Sequence, residues 1–199
     1  MENPPKEYLE KKQNIKSKLL EFKELSEKEK YKEFLFCLLT PQSNAQRCWQ
    51  AVEEISKQSS PSLETLKEIL SSKTRFHNTK ALRIFKAKES WNKITPLLHN
   101  ENILLLRNQI SENVNGYGLK ESSHFLRNIG KSNNQIAILD RHILRNLQSN
   151  NIITDTKIKS KKHYLEIESL FLKFAKSLKI PADELDLLWW SRENGEIFK

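Results

Sequence analysis

Two ionisable residues, Lys120 and Asp140, lie where the sequence pattern predicts that helices begin. Lys120 directly follows Asn115-Gly116-Tyr117-Gly118-Leu119, a turn that holds two of the four glycines in the chain. The helix dipole and the unpaired amide groups of a first helical turn disfavour the protonated form of an amine. A neutral lysine amine can attack a carbon electrophile and form a Schiff base. Lys120 is therefore a candidate nucleophile, although most of the 34 Lys and Arg side chains are expected to be solvated surface charges.

Asp140 follows the apolar run Ile136-Ala137-Ile138-Leu139 and directly precedes a predicted helix from Arg141 to Leu147. An aspartate at this position caps the helix, because its carboxylate accepts hydrogen bonds from the free amides of the first turn. Capping holds the carboxylate in one place, and a fixed carboxylate can also stabilise positive charge that develops on a substrate. The two roles are compatible, so the sequence alone leaves both open for Asp140.

The glycine-containing turn before Lys120 connects a predicted helix that ends near Glu112 to one that runs from Lys120 to Asn128. Gly116 and Gly118 would let the backbone turn tightly and bring amide groups near phosphate oxygens at the start of the second helix. A helix-hairpin-helix element that binds DNA has this arrangement. An ordinary turn between two packed helices also has it, and the spacing by itself does not distinguish the two.

The chain has 199 residues, a formal net charge of +9 and a pI near 9.4. Clustered Lys and Arg side chains gain affinity for a polyanion by releasing counterions from its phosphates. A nucleic acid is therefore a candidate partner, although lysine-rich surfaces also occur without one. Cys37 and Cys48 are too few for a disulfide framework or a four-cysteine metal site. Cys37 lies in an apolar run and is expected to be a buried free thiol of a reducing compartment.

Apolar residues recur at steps of three and four along most of the chain, which is the helical period. Two of the clearest examples are Ile103-Leu106-Ile110-Val114 and Tyr164-Ile167-Phe171-Phe174-Leu178. No segment shows the sustained alternation of a β-strand, or an Asn-Gly hairpin between β-branched runs. We therefore predict an all-α fold of about ten helices, with Ser60-Pro61 at the start of one of them.

Two neighbouring segments, Gly116–Asn128 and Ala137–Leu144, resemble the core of the helix-hairpin-helix, Gly/Pro-rich-loop, aspartate superfamily of DNA glycosylases. Within that superfamily the match is to the small archaeal-type 8-oxoguanine DNA glycosylases, which also occur in some bacteria. Leu39–Ala45, Arg75–Ala81 and the ending Leu188–Lys199 resemble the same family. The resemblance covers most of the chain from about residue 30 onward.

The resemblance implies two helical subdomains, with the helix-hairpin-helix motif in one of them and the active site at their interface. The predicted limits are 31–132 for the central subdomain, and 1–30 plus 133–199 for the second. The chain departs from parts of the superfamily. It has no four-cysteine cluster near its end, which argues against the iron–sulfur branch, and no β-rich N-terminal extension like that of the larger eukaryotic-type enzymes. Its hairpin contains Asn115 and no proline.

The resemblance also implies a reaction. The damaged nucleotide is flipped out of the duplex, Lys120 attacks C1′ of its sugar, and the base leaves. Asp140 stabilises the positive charge that develops on the sugar and helps to deprotonate Lys120. The resulting Schiff base permits β-elimination, which nicks the strand. No metal or organic cofactor is expected, while a structural monovalent cation on the backbone carbonyls of the hairpin is left open.

The same resemblance assigns residues to the substrate and to DNA. Phe76 and Trp190 match aromatic positions around the flipped base, although aromatic side chains are also common in cores. Lys199, the last residue, matches a lysine that distinguishes 8-oxoguanine from guanine. Gln42 and Asn44 match positions near the extruded base or the base opposite it. The predicted contacts with the DNA backbone are Asn115, Gly116, Gly118 and His142.

We accordingly predict a bifunctional DNA glycosylase and AP lyase that acts as a monomer on double-stranded DNA containing oxidised guanine. The sequence has neither a signal-peptide pattern nor a run of about 18 apolar residues. We therefore expect no membrane partner, and an intracellular, cytoplasmic location with the chromosomal DNA of a prokaryote.

Three alternatives stay open. The same scaffold can serve a glycosylase for another damaged base, although a monofunctional enzyme would have no need of Lys120. A non-catalytic helix-hairpin-helix module would explain the charge and the hairpin but would leave Lys120 and Asp140 without a role. A helical scaffold for protein interactions would leave the hairpin unexplained.

Overall fold

The computed structural model describes residues 4–199, except for the side chain of Asn194. All regular secondary structure in these residues is helical, with eleven α-helices, one short 3₁₀-helix and no strand. The predicted all-α fold is therefore confirmed. No helix in this part of the chain combines the length and the apolar character that crossing a bilayer requires.

The α-helices are, in chain order, α1 (Lys6–Lys23), α2 (Glu27–Leu39), α3 (Ala45–Ser56), α4 (Leu63–Ser71), α5 (His77–Phe85), α6 (Ala87–Ile94), α7 (Ile103–Asn113), α8 (Leu119–Asn128), α9 (Arg141–Ser149), α10 (Lys161–Ser177) and α11 (Ala182–Asn194). The 3₁₀-helix spans Thr95–His99 and lies between α6 and α7 in the sequence. Most of these helices are short, so their stability depends on capping side chains and on packing against other helices.

The described chain forms two compact units. One consists of Leu25–Phe125 and is called the hairpin unit, because it contains the turn before α8. The other combines the described part of Met1–Glu24 with Leu126–Lys199 and is called the aspartate unit, because it contains Asp140.

Capping side chains define where several helices begin, because they accept hydrogen bonds from the free amides of the first turn. Ser26 and Glu29 form a reciprocal capping box at the start of α2, with Ser26 N donating to the Glu29 carboxylate at 2.8 Å. Ser62 caps α4 by accepting from Thr65 N at 3.1 Å. The prediction that Ser60 caps this helix is wrong, since the helix begins only after Ser62 and the Ser62 hydroxyl supplies the acceptor.

An aromatic cluster around Phe34 forms part of the core of the hairpin unit. The ring centroids of Trp91 and Tyr117 each lie 5.4 Å from that of Phe34, and the centroid of Phe125 lies 5.9 Å away. Tyr117 also donates its hydroxyl to the Phe34 carbonyl at 2.8 Å. Tyr117 belongs to the turn before α8 and Phe125 belongs to α8. The cluster therefore fixes both the turn and the helix that carries Lys120.

In the aspartate unit, α11 packs against α1, α9 and α10. Its Trp189 ring lies 5.7 Å from that of Phe171 in α10, and both residues are buried. Its Glu184 carboxylate accepts from the hydroxyl of Tyr8 in α1 at 2.7 Å. These contacts fix α11 and therefore also Trp190, the residue after Trp189. The family resemblance assigns Trp190 to the candidate site.

Candidate active site

The turn that precedes α8 is shaped by one of its two glycines. Gly116 has a φ of 101°, in a region that L side chains rarely adopt, whereas Gly118 has no positive φ. A Cβ atom at Gly116 would lie 2.7 Å from Cδ of Arg83, so the arginine packs closely against the turn. Asn115 and Gly118 are exposed. The turn therefore presents backbone groups to solvent at two of the positions predicted to contact DNA.

Lys120 lies in the first turn of α8, with 23% of its side chain exposed. Its Nζ atom is 3.3 Å from Oε1 of Glu121. The other oxygen of the same carboxylate accepts from Gly118 N at 3.1 Å. Glu121 thus connects the candidate nucleophile to the backbone of the turn. It is absent from the residues predicted from the sequence, although a glutamate three positions after the start of a helix is typical of a capping box.

Two buried ionisable groups, Cys48 and Lys80, lie close enough to Lys120 to be affected by its charge. Burial raises the pKa of the Cys48 thiol to about 11, and the positive charges of Lys80 and Lys120 oppose this rise. Burial also lowers the pKa of the Lys80 amine to about 8, and Arg83, Lys120 and Arg75 act in the same direction. Lys80 therefore has three positive charges around it, Arg83, Lys120 and Arg75, which together favour a phosphate-bearing ligand.

Asp140 caps α9, as the sequence predicts, and both of its carboxylate oxygens accept hydrogen bonds. Oδ1 accepts from the amides of His142 and Ile143 at 2.8 and 2.9 Å. Oδ2 accepts from the indole nitrogen of Trp190 at 3.2 Å. The carboxylate is therefore held in one orientation, which is a requirement for a group that stabilises charge in a transition state.

The segment that leads to Asp140 is held by two side chains of α10. Glu168 accepts from Ala137 N at 2.8 Å, and the Tyr164 hydroxyl donates to Ala137 O at 2.7 Å. The same hydroxyl accepts from Leu139 N at 3.4 Å. These contacts satisfy buried backbone groups in a segment that has no neighbouring strand. They also fix the residues directly before the candidate catalytic carboxylate.

The hairpin unit contains three residues that the sequence assigns to the base or its surroundings. Phe76 is 57% exposed and has a φ of 57°, at the position directly before α5. Gln42 is also exposed and has a φ of 55°. Asn44 caps α3 by accepting from Arg47 N at 3.0 Å. Phe76 and Gln42 therefore have the exposure of ligand-contacting residues, while the side-chain oxygen of Asn44 has a structural role.

His142, which is predicted to contact DNA, is held by two neighbouring side chains in the aspartate unit. Its Nδ1 atom lies 3.1 Å from Oε2 of Glu193, and its Nε2 atom accepts from Nε of Arg141 at 3.0 Å. A phosphate contact by the imidazole would therefore replace one of these two contacts. The backbone amide of His142 is already bonded to Asp140.

Lys199 lies beside the C-terminal part of α1. Helix α11 ends at Asn194, and the φ of 77° at the following residue, Gly195, lets the chain turn away from the helix. The Nζ atom of Lys199 lies 5.9 Å from the ring centroid of Phe22 and 6.0 Å from that of Phe198, which is within the range of cation–π contacts. The positively charged end of the tail is thus placed by aromatic side chains.

A family model described as 8-oxoguanine DNA glycosylase matches residues 15–180. The chain belongs to this family. The 8-oxoguanine DNA glycosylase/AP lyase of Fusobacterium nucleatum is 39% identical, over 96% of this chain and 94% of its own length. The enzyme of the same name from Methanocaldococcus jannaschii is 34% identical, over 89% of this chain and 86% of its own length.

Solved structures of 8-oxoguanine DNA glycosylases have the same fold. The Methanocaldococcus jannaschii 8-oxoguanine glycosylase/lyase, in complex with a 15mer DNA containing 8-oxoguanine, matches with a TM-score of 0.86 at 33% identity and covers 98% of each chain. The 8-oxoguanine DNA glycosylase of Thermotoga maritima matches with a TM-score of 0.86 at 31% identity, over 96% of this chain and 94% of that one. The predicted family is therefore confirmed from both sequence and structure.

Three residues with direct links to the candidate site are missing from the sequence-based prediction, namely Glu121, Lys80 and Glu168. Lys80 and Glu168 are each at most 5% exposed, and each lies on the apolar face of a helix. A charged residue at a position where the helical period requires an apolar one is the signal that could have identified both of them. Among residues 4–199, no three His, Cys, Asp or Glu side chains are grouped closely enough to hold a metal ion.

Proposed function

We propose that this member of the 8-oxoguanine DNA glycosylase family excises 8-oxoguanine from duplex DNA and then cleaves the strand at the abasic site. The observation that carries the proposal is the position of Lys120 in the first turn of α8, directly after the turn that exposes Asn115 and Gly118, and beside the Glu121 carboxylate. This position provides an amine nucleophile next to a backbone turn that can face phosphate.

The first chemical step is assigned to Lys120. Its neutral amine attacks C1′ of the flipped nucleotide, the C1′–N9 bond breaks, and the base leaves with the bonding electrons and takes up a proton. Asp140 is assigned to stabilise the positive charge that develops on the sugar. Its orientation by His142, Ile143 and Trp190 supports this assignment, because a fixed carboxylate needs no reorganisation during the reaction.

The second step follows from the covalent intermediate. The nitrogen loses a proton and the C1′–O4′ bond breaks, with O4′ taking up a proton, so that a Schiff base forms between Lys120 and C1′. The Schiff base makes the C2′ proton acidic, so its removal expels the 3′ phosphate by β-elimination. Hydrolysis then releases Lys120. Each bond in this sequence is made or broken by an amine, a carboxylate or water, and no metal or organic cofactor is required. A monovalent cation on the hairpin carbonyls would be structural, and a dependence of DNA affinity on the choice of Na⁺ or K⁺ would reveal it.

Base recognition is assigned to the residues that match the family's positions near the base. 8-Oxoguanine differs from guanine by an N7–H donor and a C8 carbonyl acceptor. A site that pairs with these groups leaves buried polar atoms unpaired when guanine enters, which is an effective means of rejection. We assign the reading of this edge to Lys199, aromatic packing to Phe76 and Trp190, and contacts with the surrounding DNA to Gln42 and Asn44.

We further propose that the protein acts as a monomer on chromosomal duplex DNA, with phosphate contacts from Asn115, Gly116, Gly118 and His142. The net charge of +9 supports a polyanionic partner. Sedimentation of the protein with a short lesion-containing duplex is expected to give a complex of one protein and one duplex. A complex of two proteins with one duplex would contradict the monomer.

The deciding experiment is borohydride trapping on a duplex that contains 8-oxoguanine. Wild-type protein is expected to form a covalent protein–DNA complex and to nick the strand. Lys120→Gln is expected to do neither while retaining DNA binding. Lys88→Gln, which changes an exposed lysine of α6 in the same unit, serves as the control and is expected to trap normally.

The outcome also separates the alternatives. If Lys120→Gln still trapped, another amine would be the nucleophile. If wild-type protein bound the duplex without trapping or nicking it, the chain would be a DNA-binding module. Trapping on a different damaged base, and not on 8-oxoguanine, would keep the mechanism and replace the substrate.

A further inference from the structure

Lys80 is a buried lysine whose ammonium group has three hydrogen-bond acceptors. It lies in α5 and is 2% exposed. Its Nζ atom donates to Leu39 O at 2.6 Å, to Pro41 O at 2.8 Å and to the Ser43 hydroxyl at 2.8 Å. These acceptors lie at the last residue of α2 and in the segment that connects α2 to α3. None of the three is a carboxylate, so the buried charge is held by neutral groups alone, which is a costly arrangement.

The hydroxyl of Ser43 joins a second segment to the first. Besides accepting from Lys80, it accepts from Arg75 N at 2.9 Å. Arg75 and Phe76 form the approach to α5. The connection between α2 and α3 and the approach to α5 are therefore linked twice, once through the Lys80 side chain and once through the Ser43 hydroxyl.

Each of the linked segments carries one exposed residue in a left-handed backbone conformation. These residues are Gln42, with a φ of 55°, and Phe76, with a φ of 57°. Neither is a glycine, so each conformation costs free energy and persists only where the surrounding contacts hold it. The contacts of Lys80 and Ser43 provide that restraint. Strain of this kind is concentrated at sites where a side chain must be presented in a fixed direction.

We propose that Lys80 is a positioning residue that joins the two segments into one rigid element, so that Gln42 and Phe76 meet DNA in a fixed arrangement. The inference rests on the proposed function. Removing a base from a duplex costs stacking and pairing free energy before any chemistry occurs. An element that is already rigid loses little further entropy when it contacts the opened duplex. Lys80 is therefore assigned to base extrusion and not to the attack on C1′.

The ammonium form is required for the full set of contacts, because a neutral amine has only two N–H donors for the three acceptors. Burial lowers the pKa of Lys80 to about 8, the Cys48 thiol acts against this shift, and the charges of Arg83, Lys120 and Arg75 add to it. Base extrusion by the wild-type protein is therefore expected to weaken as the pH rises through this value. A variant without the amine is expected to lack this pH dependence.

The test compares a reaction that requires extrusion with one that does not. Lys80→Met and Ser43→Ala are measured for excision from an 8-oxoguanine duplex, for fluorescence of 2-aminopurine placed beside the lesion, and for cleavage of a single-stranded abasic oligonucleotide. Lys73→Met is the matched control, because Lys73 lies in the same unit, has only 23% of its side chain exposed, and pairs with Glu54 at 2.8 Å. Circular dichroism and thermal melting establish that each variant is folded.

We expect both variants to lose about tenfold or more in duplex excision, with a matching loss of the 2-aminopurine signal. Ser43→Ala, which keeps the Lys80 charge, is expected to leave cleavage of the single-stranded abasic substrate unchanged, and Lys73→Met is expected to behave as wild type on both substrates. Equal losses on both substrates, or an undiminished 2-aminopurine signal in a folded variant, would overturn the proposal. If Lys80→Met did not fold, Ser43→Ala, a change in a half-buried loop residue, would decide it by the same criteria.

The failure of this inference is distinguishable from failure of the proposed function. Wild-type protein that cleaved neither substrate would contradict the proposed function. The 2-aminopurine signal would still report whether Lys80 controls extrusion, since it requires no chemical step.

Discussion

Asp140 and the pair Gln42 and Phe76 are held in place by different physical means. Asp140 has an extended backbone, with φ of −84° and ψ of 178°, and is fixed by hydrogen bonds from amides and from an indole. Gln42 and Phe76 have left-handed backbones, and a buried ammonium holds their segments. The first arrangement is relaxed, whereas the second retains backbone strain and a buried charge.

This difference matches the separate tasks proposed for the two regions. A carboxylate that stabilises charge has to stay in one place, and ordinary helix capping is sufficient for that. Side chains that contact a distorted duplex have to keep their positions while the duplex resists the distortion. Their backbone therefore has to be held by several contacts. The strain therefore lies where DNA is proposed to be opened and not where charge is proposed to be stabilised.

The largest effect is expected from Asp140→Asn, which keeps the capping oxygen and removes the negative charge. We expect single-turnover excision to fall by roughly 100-fold. The free energy of unfolding should fall by less than about 1 kcal/mol, because asparagine is also a good N-cap. Single-turnover kinetics and urea denaturation measure the two quantities.

Ser160→Ala is the matched control, because Ser160 caps α10 in the same unit by accepting from His163 N. It should cost about 1 kcal/mol of stability and leave the excision rate unchanged. A near-native rate for Asp140→Asn, together with a marked loss of stability, would limit Asp140 to its capping role and remove the contrast between the two regions.

A smaller effect is expected from Tyr164→Phe, which removes the hydroxyl that holds the segment before Asp140. The Ala137 carbonyl would lose its donor at 2.7 Å, and an unpaired buried polar group costs about 1–3 kcal/mol of stability. Because Asp140 would then be held less firmly, we expect excision to slow by about tenfold. Thermal melting and single-turnover kinetics on the 8-oxoguanine duplex check the two effects.

Tyr8→Phe separates stability from positioning. The Tyr8 hydroxyl is buried in the same unit and donates to Glu184 at 2.7 Å. Its loss is expected to destabilise the protein to a similar degree without slowing excision. If both tyrosine variants slowed excision equally, the effect of Tyr164 would come from stability alone.

Local sequence patterns were sufficient to predict much of the region around Asp140. The helical period predicted the all-α fold, and an aspartate after an apolar run predicted the cap of α9, because both depend on residues close together in the chain. The start of α4 was predicted at Ser60 and lies after Ser62, an error typical of helix boundaries.

The contacts of Lys80 and Glu168 could not be predicted in the same way. Lys80 binds residues about forty positions earlier, and Glu168 binds a backbone amide about thirty positions earlier. The helical period shows that such residues face a core, but not which backbone groups they meet. The roles assigned to Phe76, Trp190 and Lys199 stay predictions, because each depends on contacts with bound DNA.

The smallest effect is expected from Glu121→Gln. This variant tests whether Lys120, like Asp140, is positioned by side-chain contacts without backbone strain. Glutamine keeps an oxygen for the Gly118 amide but removes the carboxylate charge 3.3 Å from the Lys120 nitrogen. The ion pair restricts the Lys120 side chain, so its removal leaves the nucleophile less firmly positioned. Abasic-site cleavage is therefore expected to slow a few-fold with unchanged DNA affinity, as measured by single-turnover kinetics and a binding titration.

Glu101→Gln, at an exposed position in the same unit, provides the control and should leave the cleavage rate unchanged. An unchanged rate in Glu121→Gln would mean that the ion pair does not position Lys120. If DNA affinity fell while the rate on bound DNA stayed the same, Glu121 would serve only to hold the turn. A slower rate with normal affinity would instead show that one carboxylate holds both the hairpin and its nucleophile, at no cost in backbone strain.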